Sequence, residues 1–88
     1  MEVLYQKKFL KDLANIPSGY RKGIEQFVFD ELPTVKTLSE LHRFERMTGY
    51  ENYYKVRFGI YRLGAHWDGT RLDLKRILHR KEIYRYFP

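Results

Sequence analysis

The sequence contains no cysteine, which excludes disulfides and thiolate metal sites. Its three histidines, His42, His66 and His79, are too scattered for a zinc centre, so no metal or other cofactor is expected. No stretch approaches the roughly 18 apolar residues of a membrane span, and the opening MEVLYQKKFLKDL lacks the cationic start and apolar run of a leader. These absences point to a cytoplasmic protein with no membrane partner. Nothing repeats, no linker divides the chain, and no basic recognition helix suits a DNA major groove.

What is present is 88 residues, 43% hydrophobic and 17% aromatic, enough for one domain over residues 1–88 with an ordinary core. The net charge of +6 is unevenly placed. Residues 1–41 hold six basic residues and six acidic ones; residues 42–88 hold eleven basic against five acidic and so carry the whole excess. Such asymmetry suits a polyanionic partner met by the C-terminal half, or a merely well-solvated basic surface.

The pattern reads as α+β. EVLY (2–5) is a short strand. Phe9, Leu10, Leu13 and Ile16 then mark one face of a helix, interrupted at Pro17-Ser18-Gly19. A second helix, with Ser18 as its cap, carries Tyr20, Ile24, Phe27, Val28 and Leu32 and stops at Pro33. TVKTLSEL reads as a loop or a single helical turn. From Arg43 the period becomes two: RFERM, YYKVRF, YRLGAHW and RLDLKRIL alternate as strands of an antiparallel meander packed on the helix pair. Gly59-Ile60 fits a type II′ hairpin and Asp68-Gly69 a type I′ one.

Those turns fix register. Phe58 then faces Tyr61, Arg57 faces Arg62, Val56 faces Leu63 and Lys55 faces Gly64. Across the second turn Ala65 faces Leu72, Leu63 faces Leu74 and Arg62 faces Lys75. Val56, Phe58, Tyr61, Leu63, Ala65, Trp67, Leu72 and Leu74 share a core face; Lys55, Arg57, Arg62 and Lys75 share the other. Like charges directly across strands oppose folding by up to about 1 kcal/mol per pair. Only Asp73 offers partial relief, so an anion is expected above the row. Arg76 breaks the alternation, through either a bulge or a position beyond the core edge. KEIYRYF then forms a short helix or an extended tail that brings Tyr84 near the cations.

Arginine forks suit phosphate oxygens, and tyrosine stacks on unpaired bases, so single-stranded RNA fits these residues better than duplex DNA. Tyr50, Tyr53 and Tyr54 also read as packing residues beside a strand, Trp67 as core, and Lys7, Lys8 and Lys11 as the wet side of a helix. RNA scission by the 2′-hydroxyl needs a proton acceptor, cations for the pentavalent phosphate and a donor for the leaving 5′-oxygen. Cations abound. No paired Glu/His or His/His stands at useful spacing, and Tyr (pKa about 10) or Lys (about 10.4) needs surrounding positive charge to serve as base.

The order strand, helix pair, then YYKVRFGIYRLGAHWDGTRLDLKRILHRKEIY resembles the RelE branch of the RelE/ParE superfamily, the toxins of type II toxin–antitoxin pairs. The resemblance covers essentially the whole chain and rests on the Y-K-x-R/K, Y-R-L/I-G and HRK-x-x-Y series. It implies the RelE-like microbial RNase fold and a metal-independent endoribonuclease, an mRNA interferase that cleaves messenger RNA in the ribosomal A site. By position, Lys55 and Arg57 match the basic pair on the central strand, Arg62 the arginine that contacts the scissile phosphate, Arg80 the transition-state arginine and Tyr84 the substrate-orienting tyrosine. Lys75, His79, Lys81 and Tyr53 are expected around them as substrate-binding residues. Arg57 stands where relatives carry lysine, the Arg80-to-Tyr84 interval is tighter than in some relatives, and His79 is the substitute base if neither Lys55 nor Tyr84 serves. The implied partners are the ribosome, mRNA and a RelB-like acidic antitoxin that wraps the toxin with helices. The alternatives are a ParE-like gyrase-inhibiting toxin on the same scaffold and a non-catalytic RNA- or partner-binding module.

Overall fold

The computed structural model describes residues 1–88. Strand β1 (Glu2–Tyr5) leads into helix α1 (Lys7–Ala14), and helix α2 (Ser18–Glu25) continues as a π-helical turn (Gln26–Glu31) and a 3-10 turn (Leu32–Thr34). A further 3-10 turn (Leu38–Glu40) precedes the strands β2 (Glu45–Arg46), β3 (Tyr53–Phe58), β4 (Tyr61–Trp67) and β5 (Arg71–His79), and helix α3 (Ile83–Tyr86) follows. The fold is α+β. Its sheet is mixed, in the order β1-β5-β4-β3-β2: the meander is antiparallel as expected, while β1 joins parallel to β5.

Phe9, Leu13 and Ile16 of the first helical face are buried, as are Ile24, Phe27, Val28 and Leu32 of the second. They meet Val56, Leu63, Ala65, Leu72, Leu74 and Ile77 from one side of the sheet. Each such side chain stabilises the fold by about 1.5–3 kcal/mol when taken fully from water. Leu10 and Tyr20, placed on the same faces by spacing, remain exposed. Ser18 does not cap α2. Pro17 occupies that position with an extended backbone, its carbonyl accepting the N–H groups of Tyr20 and Arg21, which puts Ser18 inside the first turn. TVKTLSEL resolves into the single turn, closed by a capping box in which the Glu40 carboxylate accepts the N–H groups of Lys36 and Thr37.

The first hairpin has the expected register: Phe58 pairs with Tyr61, Arg57 with Arg62, Val56 with Leu63 and Lys55 with Gly64. Gly59 alone in that turn takes a positive φ (59°), as a type II′ turn requires. The second hairpin differs. Trp67 pairs with Leu72, so four residues separate the last paired positions in place of the two of a type I′ turn. Asp68 is the cause: its carboxylate accepts the N–H groups of Thr70 (2.9 Å) and Arg71 (2.7 Å), and this local turn widens the loop. Ala65 therefore faces Leu74, Leu63 faces Ile77 and Arg62 faces Leu78, which corrects the expected Ala65–Leu72, Leu63–Leu74 and Arg62–Lys75 pairs. A bulge between Ala65 and Gly64 supplies the remaining offset, since Gly64 pairs with Arg76 and Lys75 is the extra residue. The break in alternation at Arg76 is thus a bulge.

Candidate functional site

On the side of the sheet away from the core, β3 presents Tyr53, Lys55 and Arg57, and β4 presents Arg62, Gly64 and His66, by the two-residue alternation around buried Val56, Leu63 and Ala65. Arg57 and Arg62 are direct cross-strand partners, a pairing of like charge that opposes the sheet. Glu45 stands 3.8 Å from Arg57, but both side chains are about half exposed, so the relief is small. Lys55, Arg62 and Arg80 have no carboxylate within ion-pair distance. Arg62 instead donates to the carbonyls of Gly59 (2.6 Å) and Tyr61 (3.0 Å), which holds its guanidinium over the hairpin.

The C-terminal segment completes this surface. The Arg80 N–H donates to the Ile60 carbonyl at 2.8 Å, tying the end of β5 to the tip of the β3–β4 hairpin. His79 pairs with Tyr61 across the strands, its ring edge-on at 6.0 Å, and its Nδ1 accepts the Lys81 N–H at 3.1 Å. Helix α3 then crosses back over the sheet. Ile83 and Phe87, four residues apart, are both buried and form a second small core with Met47, Tyr53 and Leu78. Phe87 lies directly over Gly64: a Cβ there would meet its ring carbons at 2.5–2.7 Å, so only glycine admits the ring. With the helix so anchored, Tyr84 points to Lys55, whose ammonium donates to the phenol oxygen at 3.1 Å. The ring centroid is 5.5 Å from the Lys55 nitrogen.

Lys55, Arg57 and Arg62 thus share one side of the strands, and Tyr84 is brought onto Lys55. Arg80 follows β5 at the tip of the β3–β4 hairpin. His79 is not in that row: it is the cross-strand partner of Tyr61, which packs on the main core against Tyr20, so it faces the helix side of the sheet. Lys75 is not in that row. The wider loop and the bulge move it away from Arg62, and it pairs with Asp73 at 3.0 Å on the other side of Phe87. Tyr53 stands at the boundary, edge-on to His66 (4.8 Å) and Phe87 (5.6 Å). Arg76, which alternation left unplaced, makes a two-pronged ion pair with Asp12 of α1 at 2.8 and 3.0 Å, and Asp12 also accepts the Ile77 N–H. The carboxylate holds the Arg76 guanidinium above its already high pKa. What sequence reasoning missed is the α3 anchor. Its signs were present in the Ile83/Phe87 spacing and in a glycine within an otherwise bulky strand.

A small mixed sheet backed by two helices, with an uncompensated cationic face completed by a C-terminal helix, defines a class of basic toxins. The chain belongs to the RelE/ParE superfamily of toxins of type II toxin–antitoxin systems: residues 3–84 match the family model described as the ParE toxin of type II toxin-antitoxin system, parDE. It is similar to Toxin RelE3 of Methanocaldococcus jannaschii, 40% identical over 89 aligned positions that cover all of both chains. It is also similar to Putative toxin RelE1 of the same organism, at 27% identity over 90% of this chain and 89% of that one. Among solved structures, the RelB-RelE antitoxin-toxin complex from Methanococcus jannaschii matches with a TM-score of 0.81 and 38% identity, covering 97% of this chain and 99% of that one. The toxin-antitoxin complex RelBE2 from Mycobacterium tuberculosis shares the fold (TM-score 0.68, 23% identity, 90% and 96% covered). The resemblance drawn from the sequence is borne out: this is a RelE-like toxin of a toxin–antitoxin pair.

Proposed function

We propose that the chain is a single-domain, ribosome-dependent mRNA endoribonuclease that acts in the cytoplasm and stops translation. The observation that carries this reading is the Lys55–Tyr84 contact on the sheet face shared by Arg57 and Arg62, where Lys55 and Arg62 have no carboxylate partner and the like-charge pair is built at a folding cost. Arg62 and Arg80 neutralise the scissile phosphate as charge builds on it, and Arg57 adds to the field. The 2′-oxygen attacks phosphorus, its proton passes to a base at the Lys55–Tyr84 pair, and the phosphorus–O5′ bond breaks. The leaving oxygen takes up a proton, which gives a 2′,3′-cyclic phosphate and a 5′-hydroxyl. Lys81, next to Arg80 in the chain, binds a flanking phosphate.

The structural neighbour is a RelB-RelE complex, which supports a RelB-like antitoxin as this chain's partner. The groove between α1 and α2, where Leu10 and Phe29 are exposed, is a suitable seat for one of its helices. Expression of the chain alone should arrest growth and translation, with transcripts cut inside codons when mapped by primer extension. Arg62→Ala or Arg80→Ala should relieve both effects in soluble, folded protein. Normal growth on robust expression of the wild-type chain overturns the reading. One observation favours a gyrase-directed toxin, namely the ParE description of the matching family model. Double-strand DNA breaks with intact transcripts would select that alternative.

A further inference from the structure

A second cationic cleft lies across Phe87 from Lys55 and Tyr84. It measures about 600 Å3 and is lined by Lys7, Lys8, Tyr53, Lys75, Arg76 and Tyr86, among others. Ligand pockets commonly fall at roughly 300–1,000 Å3. Two of its four cations are matched: Arg76 with Asp12, and Lys75 with Asp73, whose carboxylate also accepts from Gln6 at 2.8 Å. Lys7 and Lys8 have no carboxylate within ion-pair distance and are exposed. They are the first two residues of α1, where the helix dipole disfavours positive charge by about 0.3–1 kcal/mol each, so helix stability does not account for them.

The cleft also offers flat rings. Tyr86 is half exposed, and the Arg76 guanidinium lies 5.3 Å from its centroid, an arginine–phenol platform of the kind on which an unpaired base stacks. An acidic peptide would use the lysines but leave this platform idle. The two surfaces adjoin. In register Gly64 lies between Lys55 on β3 and Arg76 on β5, so the Phe87 ring above it forms a low wall common to both.

We propose that this cleft holds a nucleotide of the same single-stranded RNA that crosses the Lys55–Arg62–Arg80 surface, its base on Tyr86 and its phosphates against Lys7 and Lys8. The proposal rests on the reading of the chain as an RNA-cleaving toxin. It makes the N-terminal turn of α1, charge-neutral territory by composition, part of the RNA track.

Binding of a fluorescent 12-nucleotide RNA, fully 2′-O-methylated to prevent cleavage, tests this by anisotropy over a salt series. The Lys7→Gln/Lys8→Gln variant should bind about tenfold more weakly at 0.1 M salt and lower the log–log salt slope by about 1.4, since each phosphate contact on a single strand contributes about 0.7. Tyr86→Leu should weaken binding at least about fivefold with the slope retained. Thermal melts show that each variant is folded. Wild-type affinity and slope in the double-lysine variant overturn the cleft; if Arg62→Ala and Arg80→Ala still weaken binding, the RNA reading itself stands. Absence of binding by the wild-type chain, or indifference to all these substitutions, overturns this inference, while the cleavage reading stands or falls on transcript mapping after expression. An oligoglutamate of equal charge that binds as tightly, with the same dependence on Lys7 and Lys8, overturns the assignment in favour of an acidic polypeptide.

Discussion

Replacing Gly64 with alanine sets a methyl group 2.5–2.7 Å from three carbons of the Phe87 ring, where about 3.5–4.0 Å is the comfortable separation. The ring must withdraw by roughly 1 Å. At an ordinary strand position the same change favours folding by about 0.5–1 kcal/mol, because glycine loses more backbone freedom than alanine. Here the sign should reverse. Overpacking costs about 1–3 kcal/mol, and it falls on the docking of α3, the only helix that Phe87 anchors. We expect a net loss of about 1–2 kcal/mol by denaturant unfolding. The Lys55–Tyr84 contact should be lost with it, and transcript cleavage should fall about 100-fold, the scale of a 1 Å misplacement at a reacting centre. The decisive assay is the double-mutant cycle with Phe87→Ala. Once the ring is gone, Gly64→Ala should be neutral or slightly stabilising, giving a coupling energy of at least about 1 kcal/mol. Gly64→Ala protein with unchanged stability and cleavage, or additive effects in the cycle, would refute the reasoning.

Asp12→Ala should be the most damaging single change outside the hydrophobic core. It leaves the mostly buried Arg76 guanidinium without its partner and frees the Ile77 N–H, so denaturant unfolding should show a loss of about 2–4 kcal/mol. The carboxyls of Asp68 and Glu40 are held below the usual range, chiefly by backbone N–H groups of Arg71 and Thr70 and of Thr37 and Lys36. Depressed in the folded state, they add stability that is complete above the unfolded carboxyl pKa of about 4 and is lost as pH falls through the folded values. Thermal melts between pH 6 and 2 should therefore decline less steeply in Asp68→Asn and Glu40→Gln than in the wild-type chain; parallel curves would count against this.

The helix pair and the first hairpin were legible in the sequence because each rests on local information. Apolar residues recur at helical spacing up to Leu32, and Gly59 dictates its turn. The second hairpin was misread because Asp68-Gly69 looks like a two-residue turn. The Asp68 carboxylate, by capturing two backbone N–H groups, makes a wider one. That difference shifted every pair between β4 and β5 and took Lys75 out of the row, while Lys55, Arg57 and Arg62, fixed by the first hairpin, stayed together. Arg76 breaks the alternation through the bulge, and its partner, Asp12, lies 64 residues earlier, beyond the reach of a local pattern. The α3 anchor escaped for the same reason: Phe87 over Gly64 is a long-range contact, and its four-residue spacing from Ile83 signalled a helix face without saying what that face covers.

The parallel seam between β1 and β5 has a consequence for synthesis. Glu2 and its neighbours must wait for Arg71 to Leu74 to emerge before the strand they form has a partner, and closing so long a loop is slow. Lys55 and Arg62 are translated before Arg80 and Tyr84. Lys55 and Tyr84 therefore meet only after β5 and the helix beyond it have left the tunnel.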